Sequence, residues 1–340
     1  MPERRGCLSR SLFTGLSIVL ICAVIGAGIA GYWYFGPYKG FRTEAFVDVE
    51  HGMSSRQIAR ELTHYGVVRS QWAFLAVRFL RPRAKLQAGE YRFATAQTPW
   101  QVFEEIRRGE VFYEEVTVPE GSNMFDIAAL LDGLDMVKGD TFLKMAEKPD
   151  MIRDLDPVTP NLEGYLFPST YRMTRSTTAA QLCRAMTGEF RKKWASIGGL
   201  AQRTETHKLV TLASLVEKES AIPQERPIVA SVFLNRLRIN MPLQCDPSTV
   251  YAALIENKYR GVIHRSDLAS VNPYNTYAHA GLPPGPIANP GIQSLQAALH
   301  PATTDYIYFV AKPDGSGTHH FSATLSEHDK AVSAYRQRAR

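Results

Sequence analysis

The segment Leu209–Ser220, LVTLASLVEKES, holds the densest set of groups able to do acid–base or nucleophilic chemistry. Its apolar residues recur around most of a helical circumference, which marks a helix buried on several sides. Two carboxylates and an ammonium at the end of such a helix are costly unless partnered. At about 100° per residue, Glu217 and Glu219 point roughly 160° apart. They cannot both reach one glycosidic or ester bond, so they are not a paired-carboxylate site by themselves. The wheel does not choose between them. Either one, in a partly apolar pocket, would have a raised pKa and suit general acid work. The plainer alternative is an ion pair with Arg226 or Arg236 on the following helix. Ser214 and Lys218 stand four apart, so a Ser-Lys nucleophile is geometrically possible, although the spacing is not that of S-x-x-K.

A second stretch, from Gln244 to Gly291, combines Gln244-Cys245-Asp246-Pro247, Asn272-Pro273-Tyr274-Asn275-Thr276-Tyr277 and Gly281-Leu282-Pro283-Pro284-Gly285. Tyrosine faces and amides beside rigid turns suit a groove for sugars, where ring faces stack and hydroxyls need donors and acceptors. Loops merely stiffened by proline give the same composition. The nine histidines include no H-E-x-x-H spacing and the four cysteines no C-x-x-C pair, so neither a metal site nor a cofactor is expected.

These motifs resemble the endolytic murein (peptidoglycan) transglycosylases of the YceG-like (MltG) family. The likeness rests on Leu212–Ser220, Val229–Leu237, Leu243-Gln244-x-Asp246-Pro247, Tyr274–Tyr277 and Gly281-Leu282-Pro283-Pro284-Gly285-x-Ile287, with Leu162-Glu163-Gly164-Tyr165-x-x-Pro168 and Tyr308–Val310 in support. The resemblance, not the wheel, implies that Glu219 is the catalytic acid. It further implies cleavage between N-acetylmuramic acid and N-acetylglucosamine without water, leaving 1,6-anhydro ends and limiting strand length. Gln244, Asp246, Tyr251, Asn275 and Tyr277 match its motifs and are expected to line the glycan cleft. Peptidoglycan strands are the implied partner, with cell-wall synthases nearby. The chain departs from the family pattern at Thr318-His319-His320-Phe321, at His328-Asp329 and at Cys245. A water-using glycoside hydrolase with Asp246 as second carboxylate, and a non-catalytic peptidoglycan-binding scaffold, are the competing readings.

The elements that must position these groups begin with an export segment. From Ser11 to Tyr38, 28 residues carry no charge, more than the roughly 20 a bilayer-crossing helix needs. Arg4, Arg5 and Arg10 before it predict a cytoplasmic N-terminus, and Tyr32–Phe35 form an aromatic belt at the far end. A cleaved signal peptide is the alternative, given the small residues at 27–31, but the long apolar run and the belt favour an uncleaved anchor over residues 11–35. Either way the body is exported, here to the outer side of a bacterial cytoplasmic (inner) membrane. Half of the net charge of +6 falls in the first forty residues. The nearly neutral body argues against nucleic acid as a partner. Of the thiols, Cys183 and Cys245 reach the exported side, where a disulfide is permitted; two free, buried thiols is the favoured reading.

Residues 1–10 are thus expected in the cytoplasm, 11–35 in the bilayer and 36–44 as a linker. Residues 45–97 read as strand, helix, helix, strand, and with Val49-x-x-Gly52-Met53-Ser54 they resemble a LysM module. Residues 98–340 are the expected catalytic region, with a core at about 160–335. Leu162–Pro168 reads as a strand and turn, and helices are expected over Thr178–Ile197, Thr206–Ser220 and Gln224–Arg238. A strand closes the pattern at Tyr306–Val310. The fold class is α+β.

Overall fold

Polar–apolar alternation and helix caps build the first half of the chain. The computed structural model describes residues 5–134 and 136–338, with the side chains of 5–15 and 338 left aside. Arg4 and the side chains of Arg5, Cys7 and Arg10 therefore lie outside what is described. Two units meet at Glu114–Glu115.

In the first unit, α1 (Arg5–Phe35) contains the 20-residue stretch Leu16–Phe35, with mean hydropathy 2.1 and no part of it buried. Then come β1 (Ala45–Val49), α2 (Ser55–His64), α3 (Gln71–Leu80), β2 (Gly89–Phe93) and α4 (Pro99–Arg108). β1 and β2 pair antiparallel, Ala45 opposite Phe93 and Val49 opposite Gly89. Alternation turns Val47, Val49, Tyr91 and Phe93 inward, where Ile58, Leu62, Phe74 and Val77 of the two helices meet them. α4 adds Val102, Phe103 and Ile106 to this core. Gly89 holds φ +148 with Val111 so close that a Cβ would stand 2.2 Å from it, so only glycine fits there.

The second unit is reached through β3 (Glu114–Thr117) and continues with α5 (Met124–Asp132), α6 (Gly139–Ala146), β4 (Thr170–Met173), α7 (Ala179–Ser196), α8 (Thr206–Glu219) and α9 (Arg226–Arg238). Next are α10 (Asp246–Ile255), α11 (Arg265–Leu268), α12 (Ile292–Leu299), β5 (Tyr308–Ala311), β6 (His319–Ser322) and α13 (Leu325–Arg338). β3 pairs with β4, and β5 with β6. The class is mixed α+β, as the sequence predicts. α2, α4, α5 and α7 each start on a reciprocal cap, Ser54 with Gln57, Thr98 with Gln101, Asn123 with Asp126 and Thr178 with Gln181. Each cap satisfies two otherwise orphaned backbone donors.

α8 runs through the middle of the second core, packed against α9, α10 and α12. Every residue from Val210 to Val216 is buried, as its all-round apolar character requires. Leu162–Pro168 is not a strand. Gly164 turns left-handed at φ +87, and the N–H groups of Gly164 and Leu166 both donate to Asn289 Oδ1 at 2.9 Å. A side chain 125 residues away has taken the donors a ladder would need. Cys183 and Cys245 are free and buried.

Candidate active site

α8 delivers Glu217 and Glu219 to different sides of its last turn, and what faces them differs. Glu217 Oε1 pairs with Arg226 Nη2 at 3.1 Å, both side chains nearly fully buried. Its Oε2 accepts the Gly291 N–H at 2.9 Å. Arg226 is held further by donating from Nε to Ser220 O at 3.2 Å. Glu217 is thereby a structural group with both oxygens committed. Lys218 Nζ donates to Gly121 O at 3.1 Å. Ser214 Oγ, wholly buried, donates to Thr211 O at 2.7 Å and accepts the Ile287 N–H at 3.1 Å. A serine so engaged is not available as a nucleophile to Lys218.

Glu219 is partly exposed as a residue, yet its carboxyl lies deep among groups from three other elements. Burial pushes its pKa up. A hydrogen bond from the Cys245 thiol pulls it back, the Asp246 charge raises it, and His319 and Arg236 lower it. The net direction is upward, which keeps the acid form present at higher pH. Burial and the neighbouring Glu219 hold the Cys245 thiol protonated, well above the ordinary range, so it acts as a donor.

The surrounding loops are pinned by short polar contacts. Gln244 sits left-handed at φ +48, unusual for a residue with a side chain. It is held there by its N–H on Thr276 O at 3.2 Å, with Cys245 N–H on Thr276 Oγ1 at 2.9 Å. Asn275 Nδ2 donates to Leu268 O and Ser270 O at 3.0 and 2.6 Å, and its Oδ1 accepts the Tyr277 N–H at 3.1 Å. The outcome is that Tyr277 Oη donates to Asp246 Oδ1 at 2.5 Å. Burial and then that bond push the Tyr277 phenol far up, so it stays a donor.

Of the residues expected in the cleft, Glu219, Gln244, Asp246 and Tyr277 come together on these elements, with Gln244 and Asp246 exposed. Tyr251 and Asn275 are placed otherwise. Tyr251 is 1% exposed and packs between Tyr274 and Phe125, at ring distances of 5.1 and 6.0 Å. Asn275 is 0% exposed and works as the loop brace just described. Both side chains are buried rather than exposed at the surface. Tyr251 adjoins Glu163, a fully buried carboxyl that burial pushes up to about 8 and that accepts Met124 N–H and Asn289 Nδ2 at 2.8 and 2.7 Å. A separate cavity of about 730 Å³ opens along α10 and the loop after it, lined by Ala253, Glu256, Lys258, Tyr259, Arg260 and Asp267 among others; none of the expected site residues lines it.

The sequence profile of the YceG-like family matches residues 47–334. The chain belongs to the YceG-like family. A Bacillus subtilis protein named endolytic murein transglycosylase is 35% identical over 317 residues, 87% of this chain and 86% of that protein. A Streptococcus pneumoniae protein of the same name is 28% identical over 85% of this chain, which spans 58% of that longer protein. The crystal structure of a yceG-like protein from Listeria monocytogenes is 31% identical, with TM-score 0.56, covering 84% of this chain and 98% of its own.

In this YceG-like chain the structure adds three groups that sequence reasoning did not assign to the site. Arg236 donates to Ile307 O and Leu243 O, each at 2.7 Å, and so ties the residue leading into β5 to the loop that carries Gln244. His319 donates from Nδ1 to Glu225 Oε2 at 2.8 Å, while its N–H donates to Glu225 Oε1 at 2.9 Å. Cys245 hydrogen-bonds to Glu219. An arginine inside the largely apolar α9 was the available signal for the first, since a buried cation demands acceptors. His319 comes to Glu219 because the local β5–β6 hairpin packs back onto α9 and its cap residue Glu225, 94 residues earlier in the chain.

Proposed function

We propose that this chain is an endolytic murein transglycosylase that cuts the bond between N-acetylmuramic acid and N-acetylglucosamine, with Glu219 as its single general acid and base. The observation that carries this reading is the Glu219 carboxyl itself, raised by burial and set beside exposed Gln244 and Asp246, while Glu217 is tied up in an ion pair. Protonated Glu219 gives its proton to the glycosidic oxygen as the C1–O bond breaks. The C6 hydroxyl of the same muramic ring then attacks C1, and the Glu219 carboxylate takes the hydroxyl proton. No water is consumed, a 1,6-anhydro end forms, and the acid is regenerated. One carboxylate serves both halves because the nucleophile is already tethered to the electrophile. Tyr277 and Gln244 bind the strand, and the hydrogen bond from Tyr277 orients Asp246.

α1 crosses the bilayer over residues 11–35 with its N-terminus inside, which places the body on newly made glycan outside the cytoplasmic membrane. The βααβ segment 45–97 is a LysM-like accessory, and residues 98–340 carry the catalysis beside the cell-wall synthases. Asp246, an exposed carboxylate near Glu219, favours the one competing reading, a water-using hydrolase. Full-length protein incubated with uncrosslinked glycan strands, products scored by mass spectrometry, separates them. Anhydro ends that vanish in Glu219→Gln support the transglycosylase. Reducing ends that vanish in Asp246→Asn support the hydrolase, and cleavage unchanged by Glu219→Gln removes Glu219 from the mechanism.

A further inference from the structure

On α3 the large apolar side chains of Trp72, Phe79 and Leu80 are exposed among the described residues. Trp72, Ala76, Phe79 and Leu80 follow i, i+4, i+7, i+8 and so share one side of the helix, with Leu75 at its margin, half-buried against the core. Ala73, Phe74 and Val77, on the opposite side, fill the core. Trp72, Phe79 and Leu80 are 63%, 83% and 68% exposed, far more than the same residue types in the core below them. The charge along this stretch of sequence has one sign, with Glu104 of the neighbouring α4 lying near Arg81. Arg69, Arg78, Arg81, Arg83 and Lys85 lie between Leu62 and Gly89, where no acidic residue occurs. An apolar stripe edged by cations fits an interfacial helix, with aromatic and aliphatic groups entering the acyl boundary and basic groups meeting anionic headgroups.

The exit of α1 lies against the start of this helix. The Arg69 guanidinium stacks over the Trp33 ring at 4.5 Å and the Tyr38 ring at 4.8 Å. Gly40 N–H donates to Gly66 O at 2.8 Å. Trp33 belongs to the aromatic belt that ends the apolar stretch, so Arg69, three residues before Trp72, sits where a belt residue meets the headgroups.

We infer that α3 is a second membrane contact, an in-plane helix whose Trp72, Phe79 and Leu80 insert into the outer leaflet of the bilayer that α1 crosses, with Arg81, Arg83 and Lys85 on anionic phospholipid. This rests on the reading of α1 as a membrane span. Its consequence is that the first unit lies down on the membrane instead of swinging freely on a linker.

The test uses the full chain in vesicles of mixed phosphatidylglycerol and phosphatidylcholine, with a solvatochromic dye on a single reactive cysteine. In a Cys7→Ser, Cys22→Ser background the dye is placed by Phe79→Cys, and by Arg60→Cys as an exposed reference on α2. Both positions are solvent-facing, and Cys183 and Cys245 are buried, so neither variant disturbs the core. The expected result is iodide quenching about fivefold weaker at 79 than at 60, with strong quenching at 79 by nitroxides placed shallow in the acyl chains. Equal iodide access at the two positions overturns the proposal. Shielding that grows with protein density at fixed lipid indicates a second copy as the occupant and also overturns it. Shielding unchanged in pure phosphatidylcholine overturns the role of the basic edge. The dye on native Cys22, with Cys7→Ser alone, reports the span itself. Loss of lipid quenching there defeats the anchor reading, whereas quenching at 22 with none at 79 defeats only the α3 contact.

Discussion

Two glutamates two positions apart on α8, Glu217 and Glu219, show how one helix turn gives two carboxyls different surroundings. Glu217 faces Arg226 and the Gly291 amide, partners that satisfy a carboxylate. Glu219 faces a buried thiol, an exposed aspartate, and an arginine and a histidine held by other acceptors, and burial outweighs the groups that lower its pKa. The residue type is the same on both sides. The surroundings are what differ: Glu217 has an arginine and a backbone donor on its two oxygens, whereas burial incompletely compensated by its neighbours favours the proton on Glu219.

Breaking the chemical side should produce the largest effect. Glu219→Gln keeps size and hydrogen bonding but removes the proton, so cleavage of glycan strands is expected to fall about 10²–10⁴-fold, with the thermal transition preserved. Breaking the structural side should instead unfold. Glu217→Gln leaves Arg226 buried with only the half-exposed Glu120, 3.9 Å away, as counter-charge, a loss of up to about 3 kcal/mol in denaturant unfolding. The double variant Glu217→Gln/Arg226→Met should recover most of it, because neither charge is then stranded. An activity loss in Glu217→Gln without destabilisation would collapse the distinction between the two acids.

A finer probe is Tyr277→Phe. It removes the donor to Asp246, a bond to a charged group worth about 1.5–3 kcal/mol, and should lower kcat/KM by roughly ten- to a hundredfold without unfolding. If kcat/KM is unchanged, Asp246 needs no orienting. The smallest effect is on stability against pH. The folded pKa of Glu219 is raised, so the folded state prefers the protonated form. Below the unfolded value both states hold the proton and the group contributes nothing further against unfolding. As pH rises from there to the folded value, stability is drawn down. Glu219→Gln should therefore gain stability over the parent progressively above the ordinary carboxylate range and show no gain at acid pH. A gain that is flat with pH would assign the effect to packing.

Local signals read well. The capping pairs at Ser54, Thr98 and Thr178 mark helix starts in the sequence, and period-two alternation marks Ala45–Val49 and Gly89–Phe93, because both depend on residues only a few positions apart. α10 and α12 escaped notice, being short helices flanked by Pro and Gly that read as loop. Leu162–Pro168 alternates like a strand, but the amide of Asn289 arrives from far along the chain and takes its donors. The motifs around Tyr251 and Asn275 do not reveal that these side chains are buried.

From sequence alone come the apolar span, the α+β pattern, the all-round burial of α8 and the short list of acids at its end, since these follow from periodicity and composition. Only the tertiary structure decided which acid meets which partner. Arg226 reaches Glu217 across a helix junction, and β6 and the start of α10 bring His319 and Cys245 to Glu219. A pKa is set by burial and by charges within a few ångströms, and those distances exist only once distant segments have packed.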